Sequence, residues 1–340
     1  MKNRLRPVPA LVALVLAAVA VAFLVRTPRP DALVVYCAHD AIFAEEILRR
    51  FERETGIPIS VRFDTEATKS LGLVNLLLQE RERPQCDLFW NNEPVGMEHL
   101  AQQGLLLPYQ GTGYERIPQR YKDPEGRWVG FAARFRVYIA HRKRLPLDEP
   151  TIERLLTEEE SLSRVAIAQP LYGTTLTHYS LLWHAWGGER LATWHDDLHR
   201  RGIREVAGNA LTKNLVASGA CDLGFTDTDD FFVARDAGSP VEMFPVRVAG
   251  ETICIPNAVG ILRGTTRLPA AQRLADYLLS QETELALARS ASRQVPLGEV
   301  DAAELPEEVR PLVAWVAEGA DLRSLASARG EVIRWLGSRD

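Results

Sequence analysis

The chain has 340 residues, enough for about two domains of ordinary size, each with its own core. Apolar residues make up 46% and charged residues 25%, the balance of a soluble globular protein, and the formal net charge is −5. No basic block and no interleaving of basic with aromatic residues occurs, so nucleic acid is not an expected partner.

Lys2, Arg4 and Arg6 precede an uncharged stretch from Ala10 to Val25, which Arg26, Pro28 and Pro30 close. A basic head before a short apolar run is the layout of a secretory signal peptide. The run falls short of the roughly 20 residues that span a bilayer comfortably. Residues 1–30 therefore read as a signal peptide, with a retained membrane anchor as the alternative, and the body is expected to be exported. Cys37, Cys86, Cys221 and Cys254 are widely spaced and form no CxxC pair. They read either as disulfides of undetermined pairing or as buried apolar thiols.

Leu33 to Tyr36 predicts a buried strand, and Asp40 suits the cap of a helix through AIFAEEILRRFERET. Ile42, Phe43, Ile47, Leu48 and Phe51 give that helix an apolar face, and Gly56 ends it. Ile57, Ile59, Val61 and Phe63 alternate with Pro58, Ser60, Arg62 and Asp64 as a half-buried strand. A leucine-rich helix follows to about Glu82, CDLFW makes a third strand, and Pro94 opens a helix that Gly104 stops. The second half repeats this grammar. RVAIAQP is a strand, YGTT opens a helix through HYSLLWHAW, and IREVAG, the helix led by Asn209, CDLGF and DDFFVARDAG continue the alternation. Such alternation predicts an α/β fold with parallel sheets flanked by helices. WVGFAARFRVYIA and ETICIPNAVGIL are extended segments suited to cross between two lobes, and the stretch from AAQRLADYLLS onward is helical. The expected division is lobe 1 over 31–132, lobe 2 over 133–254, then 255–340 as a return to lobe 1 with carboxy-terminal helices.

Open α/β sheets bind ligands beyond the carboxyl ends of their strands. His39 ends the first strand and Glu93 follows the third, so they become neighbours if the first strand lies between the second and third. Thr174 and Thr175 open one helix and Asn209 another. GFTDTDDFF places Asp227, Asp229 and Asp230 directly after a strand. One aspartate suffices to cap the next helix, which leaves carboxylates over. Local roles compete with these: His39 as a partner of nearby backbone, Glu93 as a helix-start carboxylate, Thr174 and Asn209 as plain N-caps. HDDLH sets His195 and His199 at i, i+4, as in the HExxH zinc motif. An aspartate replaces the glutamate and Arg200 and Arg201 follow, so a solvated helix edge is the expected reading. No GxSxG elbow, P-loop or Cys-His signature appears, and the DTDD run completes neither a phosphotransferase motif nor a calcium loop. The chain is not expected to be an enzyme.

LVVYCAHD, FERETGIPISVRFDTEA, CDLFWNNE with LAQQGLLLPY, FAARFRV, YGTTLTH, TDTDD, IPNAVGIL and YLLS occur in that order. Together they resemble bacterial extracellular solute-binding proteins, in particular the iron(III)-type substrate-binding components of ABC importers, over about residues 33–297. The resemblance implies a periplasmic binding protein type II-like fold: two α/β lobes joined by two crossing segments and closing on a ligand. It implies a monomer in the periplasm that delivers Fe(3+) to an ABC permease and its ATPase. His39 and Glu93 fall where such proteins carry iron ligands, with Asp227 and Asp229 completing the set. Thr174, Thr175 and Asn209, with Asp230 nearby, fall where a synergistic anion is held. The pattern departs where adjacent tyrosines are usual, since Thr228, Asp229 and Asp230 stand there. Tyr36 or Tyr172 then remain as sources of a phenolate, and carboxylates are less selective hard donors. A cationic solute paired with the carboxylates, or a phosphorylated one at the helix termini, stays open. A metal-dependent hydrolase is the reading from a different class.

Overall fold

The computed structural model describes residues 31–64, 71–144 and 148–339, and the expected signal or anchor at 1–30 lies outside them. Strand β1 (Leu33–Cys37) leads into α1 (Ala41–Thr55), whose Phe43, Ile47, Leu48 and Phe51 are buried. Gly56 ends α1 at φ 71°, a conformation that a Cβ disfavours, and its N–H caps the Glu52 carbonyl. β2 (Ile59–Phe63), α2 (Leu71–Gln79), β3 (Leu88–Asn91) and α3 (Pro94–Gln102) complete a first α/β set. The long β4 (Val129–His141) and α4 (Glu149–Glu158) follow. The second set comprises β5 (Val165–Ala168), α5 (Gly173–Trp186), α6 (Gly188–Arg200), β6 (Arg204–Val206), α7 (Asn209–Ala217), β7 (Leu223–Asp227) and α8 (Thr228–Asp236). After β8 (Val241–Pro245) and β9 (Cys254–Leu262) come α9 (Leu268–Leu278), α10 (Gln281–Arg289) and α11 (Leu325–Gly337).

The sheet order is β2-β1-β3-β9-β4-β7-β5-β6. β2, β1 and β3 are mutually parallel, as are β6, β5 and β7, whereas β9 and β4 run antiparallel to their neighbours. In each set the first strand lies between the second and third, as the placement of His39 beside the third strand requires. β4 belongs to both sets. Its residues 129–135 pair with β9 and residues 136–140 pair with β7, so this crossing segment is a strand shared by the two lobes.

The pairing of β4 with β9 slips by one residue between Pro256 and Asn257. The extra residue on β4 is Ala132, at φ 41°, which makes a bulge that bends the strand just before Arg134. Asn257 Nδ2 donates to the Ala132 carbonyl at 2.6 Å, and Glu284 Oε1 accepts from the Ala132 N–H at 2.9 Å. The buried Leu325 and Val332 of α11 join the core formed by Leu176, Tyr179 and Leu182 of α5. The end of the chain thus packs mainly on α5 of the second set, and α11 also meets α3 of the first. All four cysteines are buried, and none of them forms a disulfide. Among the described residues no helix is long and apolar enough to cross a membrane.

Candidate functional site

A cavity of about 630 Å³ opens where the carboxyl ends of the parallel strands of both sets meet. His39 and Asp40 reach it from the end of β1, and Asn92 from the end of β3. Arg134 comes from the shared strand β4. The second set contributes the starts of α5 and α7 and the turn after β7. Neither α5 nor α7 carries a side-chain cap, the first N–H groups of a helix have no intrahelical partners, and residues of both first turns line the cavity.

Two arginines organise the floor. Arg134 and Arg136 lie two residues apart on β4 and so on one face of the strand, and both are buried. Arg136 Nη1 donates to Asp227 Oδ1 at 2.8 Å and to Asn209 Oδ1 at 3.1 Å. The other oxygen of Asp227 accepts from Thr174 Oγ1 at 2.6 Å and Asn209 Nδ2 at 2.9 Å. Thr175 Oγ1 donates to Asn209 Oδ1 at 3.3 Å. Asp227 stands at the N-cap position of α8, but its side chain makes no capping bond. The carboxylate of this expected ligand is engaged by Arg136, Thr174 and Asn209, which ties β4, α5 and α7 together at the cavity floor.

Arg134 is engaged differently. Its Nη2 donates to the Asn92 carbonyl at 2.8 Å, and its Nε lies 3.6 Å from Asp227 and 4.0 Å from Asp229. Its Nη1 is buried with no hydrogen-bond partner among the described residues. A buried guanidinium nitrogen beside two uncapped helix starts is an arrangement that attracts an anion. FAARFRV already carried the signal, as two arginines at i, i+2 within an otherwise apolar strand.

Asp229 and Asp230 lie at the cavity wall with much less compensation. Burial raises the pKa of both carboxyls, and repulsion from Asp227 and Asp40 adds to it. Arg134 offsets part of the shift at Asp229, and a hydrogen bond from Thr226 Oγ1, at 2.8 Å, offsets part at Asp230. Their charged forms are therefore disfavoured, and a cation beside them would offset that penalty.

His39 lines the same cavity and is stacked on Trp90, with ring centroids 5.5 Å apart. Gln294 Nε2 lies 3.3 Å from its Nε2. Glu93 is a neighbour in sequence terms only. Its carboxylate accepts from the N–H groups of Val95 at 2.7 Å and Gly96 at 3.0 Å and from Asn91 Nδ2 at 3.1 Å. A Cβ on Gly96 would stand 2.6 Å from Glu93 Oε1, so glycine there admits the capping carboxylate. Glu93 is thus the N-cap of α3 and does not line the cavity. Tyr36 is also directed elsewhere. Its hydroxyl donates to Glu80 at 3.0 Å, and burial, with Glu80 beside it, pushes its pKa up to about 12. Tyr36 is not among the residues that line the cavity. Tyr172 does line the cavity, with its hydroxyl donating to the Ala207 carbonyl.

HDDLH is not a solvated edge throughout. His195 is buried under Tyr179 and Trp335, and burial pushes its pKa down to about 4. Its partner His199 stays on the surface.

Residues 33–290 match the family profile described as bacterial extracellular solute-binding protein. The iron uptake protein A1 of Synechocystis sp. is 21% identical over 258 residues, covering 72% of this chain and 70% of that protein. Among solved structures, iron-bound HitA from Pseudomonas aeruginosa superposes with a TM-score of 0.73 at 20% identity, covering 91% of this chain and 100% of that one. AfuA from Actinobacillus pleuropneumoniae, with fructose-6-phosphate bound, has a TM-score of 0.70 at 17% identity, covering 90% and 98%.

Proposed function

The chain belongs to the bacterial extracellular solute-binding protein family, and from that premise we propose that it is the capture component of an ABC importer for ferric iron, bound together with an anion. The loaded protein passes its cargo to a membrane permease driven by an ATPase. It acts as a monomer in the periplasm, with lobes over 31–132 and 133–254 closing on the cavity.

The observation that carries this reading is the charge of the cavity. Asp227, Asp229 and Asp230 bring three carboxylates to the cavity against the two guanidiniums of Arg134 and Arg136. Asp227 is already neutralised by Arg136, which leaves the buried carboxyls of Asp229 and Asp230 to meet a cation, with Arg134 4.0 Å from Asp229. Hard oxygen donors with an imidazole beside them suit a small, highly charged cation. His39, Asp229 and Asp230 are the assigned ion ligands. Arg134 Nη1 and the starts of α5 and α7 hold the anion. Iron uptake by the Synechocystis relative supports the same choice.

Trp90, stacked on His39, provides a reporter. Chelator-dialysed protein titrated with ferric citrate should change its tryptophan emission to a saturating limit, and Asp229→Ala should weaken that binding at least about tenfold. A response to no iron species would end the iron reading. A phosphorylated organic solute is the second reading, favoured by the partnerless Arg134 Nη1 and by the sugar phosphate bound in AfuA. It requires a saturating response to a sugar phosphate without metal, abolished by Arg134→Gln.

A further inference from the structure

Far along the second set, α6 and the edge strand β6 bring together residues unrelated to the cavity. His195 and His199 stand one helical turn apart on α6, with ring centroids 4.4 Å apart. Glu205 projects from β6, and its Oε2 lies 3.0 Å from His199 Nε2. One ligand atom from each of the three residues lies within 4.8 Å of the other two. We propose that His195, His199 and Glu205 form a second cation site, for Zn²⁺ or a like divalent metal, that staples α6 to β6.

Ligand chemistry selects the ion. Two imidazoles and one carboxylate favour zinc and its neighbours in the transition series, whereas Mg²⁺ and Ca²⁺ prefer oxygen-only shells. Zinc bonds of about 2.0–2.2 Å place tetrahedral ligand atoms roughly 3.3 Å apart. Separations between 3.0 and 4.8 Å therefore close on an ion by small side-chain rotations.

The surroundings favour a fixed geometry. Tyr179 Oη lies 3.0 Å from His195 Nδ1. When Nδ1–H donates to that hydroxyl, the lone pair of Nε2 is left to the metal, the outer-sphere arrangement that orients ligating histidines. Trp335 packs edge-on against His195, with centroids 5.3 Å apart. His199 is 40% exposed, which leaves the fourth position to water. The intervening Asp196 and Asp197 are engaged by Arg339 and by Arg200 and Arg201, so they do not compete for the ion. β6 ends the sheet order, so a metal bridge to α6 fastens a strand that has a neighbour on one side only.

The full exported chain, stripped with chelator, should be titrated with Co²⁺ and with Zn²⁺ against a chromophoric chelator. Expected are the visible absorption bands of near-tetrahedral Co²⁺, about one zinc equivalent that survives in Asp229→Ala, and a melting temperature raised by zinc. His199→Ala and Glu205→Gln, both at the exposed side, should lose the bands and the melting shift. Tyr179→Phe should weaken zinc roughly tenfold while the bands persist. Zinc uptake unchanged in His199→Ala and Glu205→Gln, or no uptake in the Asp229→Ala protein, would overturn the assignment.

Discussion

Asp227 and Asp229 differ in what their carboxylates meet. Asp227 is locked to Arg136, Thr174 and Asn209, and removing it leaves a buried guanidinium without its counter-charge. Asp227→Ala is expected to destabilise the fold by about 3–5 kcal/mol, measured by urea unfolding. Asp229→Asn removes a carboxyl that burial already disfavours in its charged form, and should leave the unfolding midpoint unchanged or higher. Three crowded aspartates in GFTDTDDFF were legible as a candidate site from sequence. Which of them was already committed was not, because Arg136 lies 91 positions away in the chain. Likewise Glu93 reads as a ligand or a cap with equal ease until Val95, Gly96 and Asn91 are seen around it.

At the scale of elements, the shared strand β4 sets the site through its bulge. Asn257 is the hub. It donates to the Ala132 carbonyl and to Gln294 Oε1, at 2.6 and 2.8 Å, and accepts from Trp90 Nε1 at 3.2 Å. It thereby braces the strand that aims Arg134 and the pair, Gln294 and Trp90, that flanks His39. Asn257→Ala should lower stability by about 1–3 kcal/mol through the polar groups it strands. It should also weaken cargo binding, although Asn257 does not line the cavity. Denaturant unfolding and a tryptophan titration check the two halves of this prediction separately. Helix starts and stops at Pro94, Gly56 and Gly104 were legible because caps and breakers act locally. The bulge was not, since its partner on β9 is 125 residues away. The packing of the carboxy-terminal helix on α5 was hidden for the same reason, since α5 lies far away in the chain.

For the whole molecule, proton linkage gives opposite signs for the empty and the loaded protein. Asp229 and Asp230 bind protons more tightly folded than unfolded, where an aspartate has a pKa of about 3.9. Their contribution to stability is fully present below about pH 4 and is lost as pH rises through their raised folded values. The melting temperature of the cargo-free protein should therefore fall across that interval, and Asp229→Asn with Asp230→Asn should flatten the slope. A cation taken up by these carboxylates must displace their protons, so iron binding should release protons and strengthen with pH. An anionic solute at Arg134 favours the protonated carboxyls and should weaken as pH rises. Calorimetry in two buffers of different ionisation enthalpy separates these signs. The most direct measurement is a crystal structure of the protein soaked with ferric citrate, with anomalous data collected at the iron edge. The predicted result is an iron peak within bonding distance of Asp229 and His39, with an anion against Arg134 and the start of α5. Iron held by Glu93 or Tyr36, or no iron in the cavity, would contradict it.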